Sequence, residues 1–204
     1  MDRFRTFAYK VSKNHTRTCF VLKCDIKKFF ASVDHAILKE ILAKHIIDHD
    51  ALWLLGNIID SFHGARPGIG LPLGNLTSQL FSNIYLNEFD QFVKHVLKIK
   101  YYVRYADDFV VLSRDKQELG NLISPFRAFL SEKLRLTLHP DKVFIKTLSS
   151  GVDFLGWVHF PDHRVLRTST KRRMFKNLQH NARPEVLASY RGLLFHGNTY
   201  GLKN

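Results

Sequence analysis

At 204 residues, 45% hydrophobic and 24% charged, the chain has the size and make-up of one globular domain, alone or with a short appendage, and enough apolar material for a sizeable core. Thirty-one Lys and Arg against 18 Asp and Glu leave a net charge of +13, an excess that points to polyanionic partners, nucleic acid first among them. Cys19 and Cys24 are too few for a disulfide framework or a four-ligand zinc site, even with His15 nearby, so core packing is expected of them. No apolar run reaches about 18 residues, and Met1 to Lys10 lacks a signal peptide's apolar centre. The chain therefore reads as cytoplasmic, with no membrane partner.

Residues 18–25, Thr-Cys-Phe-Val-Leu-Lys-Cys-Asp, form a short run rich in β-formers, expected as a buried strand ending in a carboxylate. Two helical patterns follow. One carries Val33, Ile37, Ile41 and Leu42 on a face, the other Leu52, Leu55, Ile58, Ile59 and Phe62. Glycines and prolines crowd residues 64–74 and mark a loop. A helix is expected from about Leu76 to Val96, with Leu80, Ile84, Leu86, Phe89 and Val93 apolar. Two aromatic and β-branched runs at residues 100–113 flank Asp107-Asp108, which reads as a hairpin with acids at its tip. A third amphipathic helix is expected over about residues 116–134. A strand pair is expected at 143–148 and 152–160, with turn signals at Ser149-Ser150-Gly151. The tail from Arg164 onward reads as helical and basic. The order predicts an α+β layer, an antiparallel sheet carrying helices on one face.

Adjacent like charges at the end of a buried strand cost energy, and a bound cation removes that cost. Asp25 ends another expected strand in the same way. If the strands are neighbours, three carboxylates meet at one sheet edge. Oxygen-only ligands suit magnesium, which keeps several waters and takes substrate phosphates. Two such ions about 4 Å apart stabilise the attacking and leaving oxygens of phosphoryl transfer.

The residues around these acids resemble those of reverse transcriptases. Tyr105-Ala106-Asp107-Asp108, with Val103 before it and Phe109-Val110-Val111-Leu112 after it, is similar to the catalytic hairpin of that family. Cys24-Asp25-Ile26-Lys27-Lys28-Phe29-Phe30 resembles the first metal-binding strand. Gly70 to Gln79, leading into Asn83-Ile84-Tyr85-Leu86, resembles the template-and-nucleotide helix. His139-Pro140-Asp141-Lys142 and Phe154-Leu155-Gly156-Trp157 resemble the last two palm motifs. The motifs run in the family's order over about residues 18–160. The closest likeness is to the enzymes of diversity-generating retroelements, because Leu73-Gly74 and Ser78-Gln79 stand where many relatives carry Gln-Gly and Ser-Pro. The tail from Arg164 to Phe175 resembles that subgroup too.

The resemblance implies a polymerase palm with a ferredoxin-like sheet at 18–163, the start of a helical thumb at 164–204 and a fingers or linker remnant at 1–17. It implies an error-prone RNA-directed DNA polymerase, bacterial or phage-encoded, using two Mg2+ ions, with Mn2+ a substitute. Its partners would be an RNA template, a DNA or RNA primer, deoxynucleoside triphosphates and a small basic accessory protein. Asp25 and Asp107, with the Ile26 carbonyl, would hold metal, and Asp108 would tune the site or bind loosely. Phe30 would press on the sugar of the incoming nucleotide and exclude a 2′-hydroxyl. Phe29, on the opposite side of a strand, would be core. Leu73, Gly74 and Gln79 would line the nucleotide. Leu73 cannot make the hydrogen bond of the usual Gln, which is expected to lower fidelity. Lys142 would protonate or neutralise the leaving pyrophosphate.

Phe154, Leu155, Gly156 and Trp157 would grip the primer end, with Gly156 allowing close approach and Trp157 offering an amphipathic ring. A plain β-core is the competing reading of that stretch. Lys171, Arg172 and Arg173 would touch template-primer phosphates, independently of sequence and sensitively to salt. Only 24 residues precede Asp25, too few for the family's fingers strands, so the chain alone is expected to polymerise poorly. The competing readings are a non-catalytic nucleic-acid-binding remnant, a group II intron or retron type of the same enzyme, and a palm-fold nucleotide cyclase. The helix motif at Gly74 to Gln79 and the basic tail fit a template better than cyclisation.

Overall fold

A computed structural model describes residues 2–64, 66–180, 183–195 and 197–198. In chain order the elements are α1 (Asp2–Val11), β1 (Phe20–Asp25), α2 (Phe29–Ser32), α3 (His35–Ala43), α4 (His49–Asp60) and α5 (Leu76–Gln91). A π-helical turn (Phe92–Val96) continues α5. Then come β2 (Tyr102–Tyr105), β3 (Asp108–Ser113), α6 (Lys116–Asn121), α7 (Ile123–Leu134), β4 (Phe144–Thr147) and a 3-10 turn (Leu148–Ser150). The chain closes with β5 (Val152–Phe154), β6 (Trp157–His159), β7 (Arg164–Leu166), α8 (Thr168–His180) and α9 (Pro184–Leu194). Of the tail assigned to a thumb, residues 181–182, 196 and 199–204 lie outside the described residues, as does Met1.

The elements form two compact units. One comprises Leu22–Val111 and Lys116–Ile145, the other Met1–Val21, Leu112–Asp115 and Lys146–Asn204. The four-stranded sheet runs β2-β3-β1-β4, the order that a β-α-β-β-α-β chain makes in a ferredoxin-like layer. β1 lies inside the sheet, which accounts for its unbroken apolar run: Val21, Leu22 and Cys24 are fully buried. In the first unit, Phe89 of α5 holds helices and hairpin together. Its ring meets Phe109 of β3 at 5.0 Å and Phe126 of α7 at 5.4 Å, both edge-on. Such pairs add about 0.5–1.5 kcal/mol each beyond the area they bury.

Several expectations need correcting. Residues 143–148 and 152–160 do not pair with each other. β4 joins β1 in the larger sheet, while residues 152–159 fold on themselves as β5 and β6, with β7 completing a three-stranded sheet. Arg164 is thus a buried strand residue rather than the start of a helix. The expected helix at 116–134 breaks at Leu122. Pro125 has no N–H and its ring crowds the preceding turn, so a continuous helix cannot pass. Leu80 points outward, 57% exposed, because α5 buries the stripe Ser78, Phe81, Ser82, Tyr85 and Phe89 instead. Phe29 and Phe30 sit in the helical turn α2, not a strand, though Phe29 is core as expected and Phe30 half-buried.

In the second unit, α1 had no sequence expectation. It forms because Phe4, Ala8 and Val11 make one apolar stripe, all buried. Phe4 packs on Phe154 and His159 at 5.6 and 4.6 Å between rings. Cys19 and Cys24 are free and buried, and burial pushes their thiols up to about 11 and about 12, as core packing requires. Among the described residues no helix is long and apolar enough to cross a membrane.

Candidate active site

The end of β1 is clamped on two sides. The Asp25 carbonyl accepts from His139 N at 2.8 Å, Lys27 N donates to Thr137 O at 2.8 Å, and Ile26 N donates to Asp107 O at 3.2 Å. Ile26 itself is buried and bridges Leu138. The β2–β3 hairpin pairs Tyr105 with Asp108, leaving Ala106 and Asp107 as a two-residue loop. Ala106 has φ 50°, a left-handed conformation that costs a residue with a Cβ about 1–2 kcal/mol. That turn sets Asp107 at the tip and Asp108 at the first position of β3.

Two lysines meet the outer carboxylates. Lys142 Nζ lies 3.2 and 3.3 Å from the two oxygens of Asp25. Lys23 Nζ lies 3.5 Å from Asp108 Oδ1, and the Lys23 side chain is only 7% exposed. Burial raises the Asp107 carboxyl above its ordinary value, and the charges of Asp25 and Asp108 push it the same way, against the pull of Lys142. Three carboxylates therefore face two ammonium groups, and Asp107 feels the charge of both other acids.

That surplus decides the fit of a metal. Among the described residues no three His, Cys, Asp or Glu side chains form a ready cage. Magnesium does not need one, since it binds through one or two carboxylates and completes its shell with water and phosphate oxygens. Asp25 and Asp107 supply such a pair, and a divalent cation there would relieve the like-charge burden on Asp107. The residues fit the ion.

On the nucleotide side, the backbone of the 64–74 loop runs along α2. Leu71 N donates to Phe30 O at 2.7 Å and Gly70 N to Val33 O at 2.8 Å. Buried His35 holds the same stretch, with Nε2 2.7 Å from Gly70 O. Leu73 is 79% exposed, Gly74 takes φ 92°, and Gln79 is exposed on the first turns of α5.

The remaining candidates belong to the other unit. Leu155 (φ 55°) and Gly156 (φ 80°) form the two-residue turn between β5 and β6, and Arg167 N donates to the Gly156 carbonyl at 3.0 Å. With both φ angles positive, this is the turn type matched to strand twist. Phe154 and Trp157 are buried, so the amphipathic ring expected at Trp157 is instead core. It clusters with Leu166, Met174 and Leu194, and the Arg164 guanidinium lies 5.1 Å from its centre. The turn is the accessible part of this motif. Lys171, Arg172 and Arg173 are all exposed on α8, whose anchor is Met174.

Sequence reading passed over three residues that shape the site. Lys23 is the polar break in the β1 run, and strand alternation puts it on the face of Asp25, two residues on. Arg104 and Asp90 form a partly buried pair behind the hairpin, with 2.6 Å between Nη2 and Oδ2. Its only sequence signal is a charged residue inside a β-rich run.

Acids at the end of a central strand and on the tip of the neighbouring hairpin, in a β2-β3-β1-β4 sheet with helices on one face, define a polymerase palm. Residues 2–159 match the family described as reverse transcriptase (RNA-dependent DNA polymerase), and the chain belongs to it. It is 28% identical over 193 residues to Protein YkfC of Escherichia coli, covering 76% of this chain and 49% of that one. It is 24% identical over 220 residues to the group II intron-encoded protein LtrA of Lactococcus lactis, covering 74% and 36%. The fold is similar to that of Candida tropicalis telomerase, solved in complex with a fragment of telomeric RNA, with a TM-score of 0.62, 14% identity, and 88% of this chain and 36% of that one covered. The chain thus spans about half the length of YkfC and about a third of the other two.

Proposed function

We propose that this chain is the palm of an enzyme that copies RNA into DNA by two-metal nucleotidyl transfer. The observation that carries the reading is the meeting of Asp25, Asp107 and Asp108 with Lys142 and Lys23 at one sheet edge. When bound, magnesium would supply Lewis-acid activation of the primer hydroxyl and charge neutralisation on the phosphates. Asp25 and Asp107 would hold the ions, with the Ile26 carbonyl as a further ligand. Lys23 keeps Asp108 compensated. Lys142 is placed to neutralise or protonate the departing pyrophosphate. Phe30 screens deoxynucleotides from ribonucleotides at the sugar. The turn at Leu155-Gly156 and the basic face of α8 would hold primer and template. In this reading residues 18–163 are the palm, 164–204 begin the thumb and 1–17 belong to the fingers or a linker. The setting is bacterial or phage cytoplasm, and a small basic protein is the accessory partner.

The exposed Leu73 supports an error-prone enzyme of the diversity-generating type, since an apolar side chain gives no polar check on pair geometry. Leu73→Gln is expected to lower misincorporation opposite adenine severalfold, measured by sequencing the cDNA. An unchanged error spectrum would favour the second reading, an intron-type enzyme, to which the likeness to LtrA points.

The test is primer extension by the full chain on a primed RNA with magnesium and deoxynucleotides, beside Asp107→Ala. Extension that disappears in the variant supports the polymerase. No extension, with salt-sensitive template binding retained, would reduce the chain to a module that holds nucleic acid.

A further inference from the structure

Behind the catalytic hairpin the Arg104 side chain is 9% exposed and its guanidinium uses all three nitrogens. Nε donates to Asp90 Oδ1 at 2.9 Å and Nη2 to Asp90 Oδ2 at 2.6 Å, a two-pronged fork. Nη1 reaches the carbonyl of Ala106 at 3.1 Å and Asn83 Oδ1 at 3.4 Å. Tyr102 donates its hydroxyl to Asp90 Oδ1 at 2.7 Å. Asn83 and Asp90 stand seven residues apart on α5, two turns along one helix face. Ala106, whose carbonyl is held, is the left-handed residue that sets Asp107 at the tip.

We propose that Arg104 is a positioning residue for the catalytic hairpin, tying the peptide that aims Asp107 to α5, the helix that begins just after the Leu73-Gly74 loop. The inference rests on the polymerase reading for its purpose, but not for its geometry. Stability alone does not call for this arrangement, because an apolar pair can replace a buried ion pair at little loss. An apolar pair cannot donate to the Ala106 carbonyl. Lysine cannot replace the arginine either, since a single ammonium lacks the planar fork. The turn backbone is also joined to β1 by the Ile26 N to Asp107 O bond at 3.2 Å. Arg104 thus keeps the acid and the nucleotide loop at one spacing.

The test uses the full chain with two variants, Arg104→Met/Asp90→Leu and Asp90→Asn. The first swaps the pair for apolar groups. The second keeps the side-chain shape and removes only the charge that holds the guanidinium fork. Amide hydrogen exchange is followed over residues 103–109 and over the rest of the sheet without metal, alongside the melting midpoint and Mn2+ affinity by water-proton relaxation. The expected result is exchange roughly tenfold faster at the hairpin tip alone, and Mn2+ bound roughly tenfold more weakly, with the midpoint nearly kept. Tip exchange equal to the parent's would overturn the proposal. So would a uniform rise across the sheet with a lowered midpoint, which marks a merely structural pair. A parent chain that binds no Mn2+ would count against the polymerase reading, while the exchange pattern still decides the role of Arg104.

Discussion

Asp107 stands at the hairpin tip, where burial first and then the charges of Asp25 and Asp108 raise its carboxyl. A carboxyl raised above its ordinary value binds its proton more tightly in the folded chain than in the unfolded one. Its contribution to stability is therefore present at low pH and is lost as pH rises through the raised value. At neutral pH without metal the ionised group works against the fold. Asp107→Asn is expected to abolish extension yet raise the metal-free melting midpoint by about 2 °C, the scale of somewhat under 1 kcal/mol in a chain this size. Calorimetry in chelator checks it, and a lowered midpoint would refute it. The acids and Lys142 were legible because each sits in a contiguous motif with its own turn chemistry. Lys23 and Arg104 were not. Their partners, Asp108 and Asp90, lie in other elements, and strand pairing and helix docking bring them near.

Among the elements, β1 and the β2–β3 hairpin were readable, since a buried strand and a tight hairpin are written in local pattern. The stretch from 143 to 160 was misread, because local pattern does not name a strand's partner. Gly151 does make a turn, with φ 81°, and a Cβ there would stand 2.8 Å from the Phe160 ring. That turn leads from one sheet to another instead of closing a hairpin. The true hairpin turns at Leu155-Gly156, where the first position holds leucine in a left-handed conformation that asparagine adopts more readily. Leu155→Asn should therefore stabilise the protein by about 0.5–1 kcal/mol, read as a higher denaturant midpoint. If the turn grips the primer, the same change weakens primer affinity. A loss of stability would show that the Leu155 side chain contributes more by packing than its backbone costs.

On the scale of the whole chain, the family match at 2–159 runs through both compact units. The second unit carries a buried titratable group in His159. Its ring lies under Phe4 and its Nε2 donates to Phe154 O at 3.2 Å. Burial lowers its pKa from 6.5 to about 4, and the charge of Arg164 adds to the effect. The folded chain thus resists a proton that the unfolded chain accepts. The stability this gives is complete above pH 6.5 and is lost as pH falls toward about 4. Unfolding midpoints should decline over that window, and His159→Gln, which can keep the bond to Phe154 O, should flatten the decline. A parent and variant with parallel pH profiles would show that other groups set the acid limit. The strand at His159 was expected but its burial was not legible, because that depends on α1, a helix more than 140 residues earlier.

The Lys142 ammonium rests on both oxygens of Asp25, yet its side chain is 54% exposed. When those oxygens are taken by a divalent ion, the amine is released to solvent, where acylating reagents reach it. Acetylation of Lys142, followed by mass spectrometry, should rise with added Mn2+ and saturate as the site fills. In Asp25→Asn it should be fast from the start and indifferent to metal. The lysine would thereby report occupancy, readable on the bare protein with no nucleic acid in the tube.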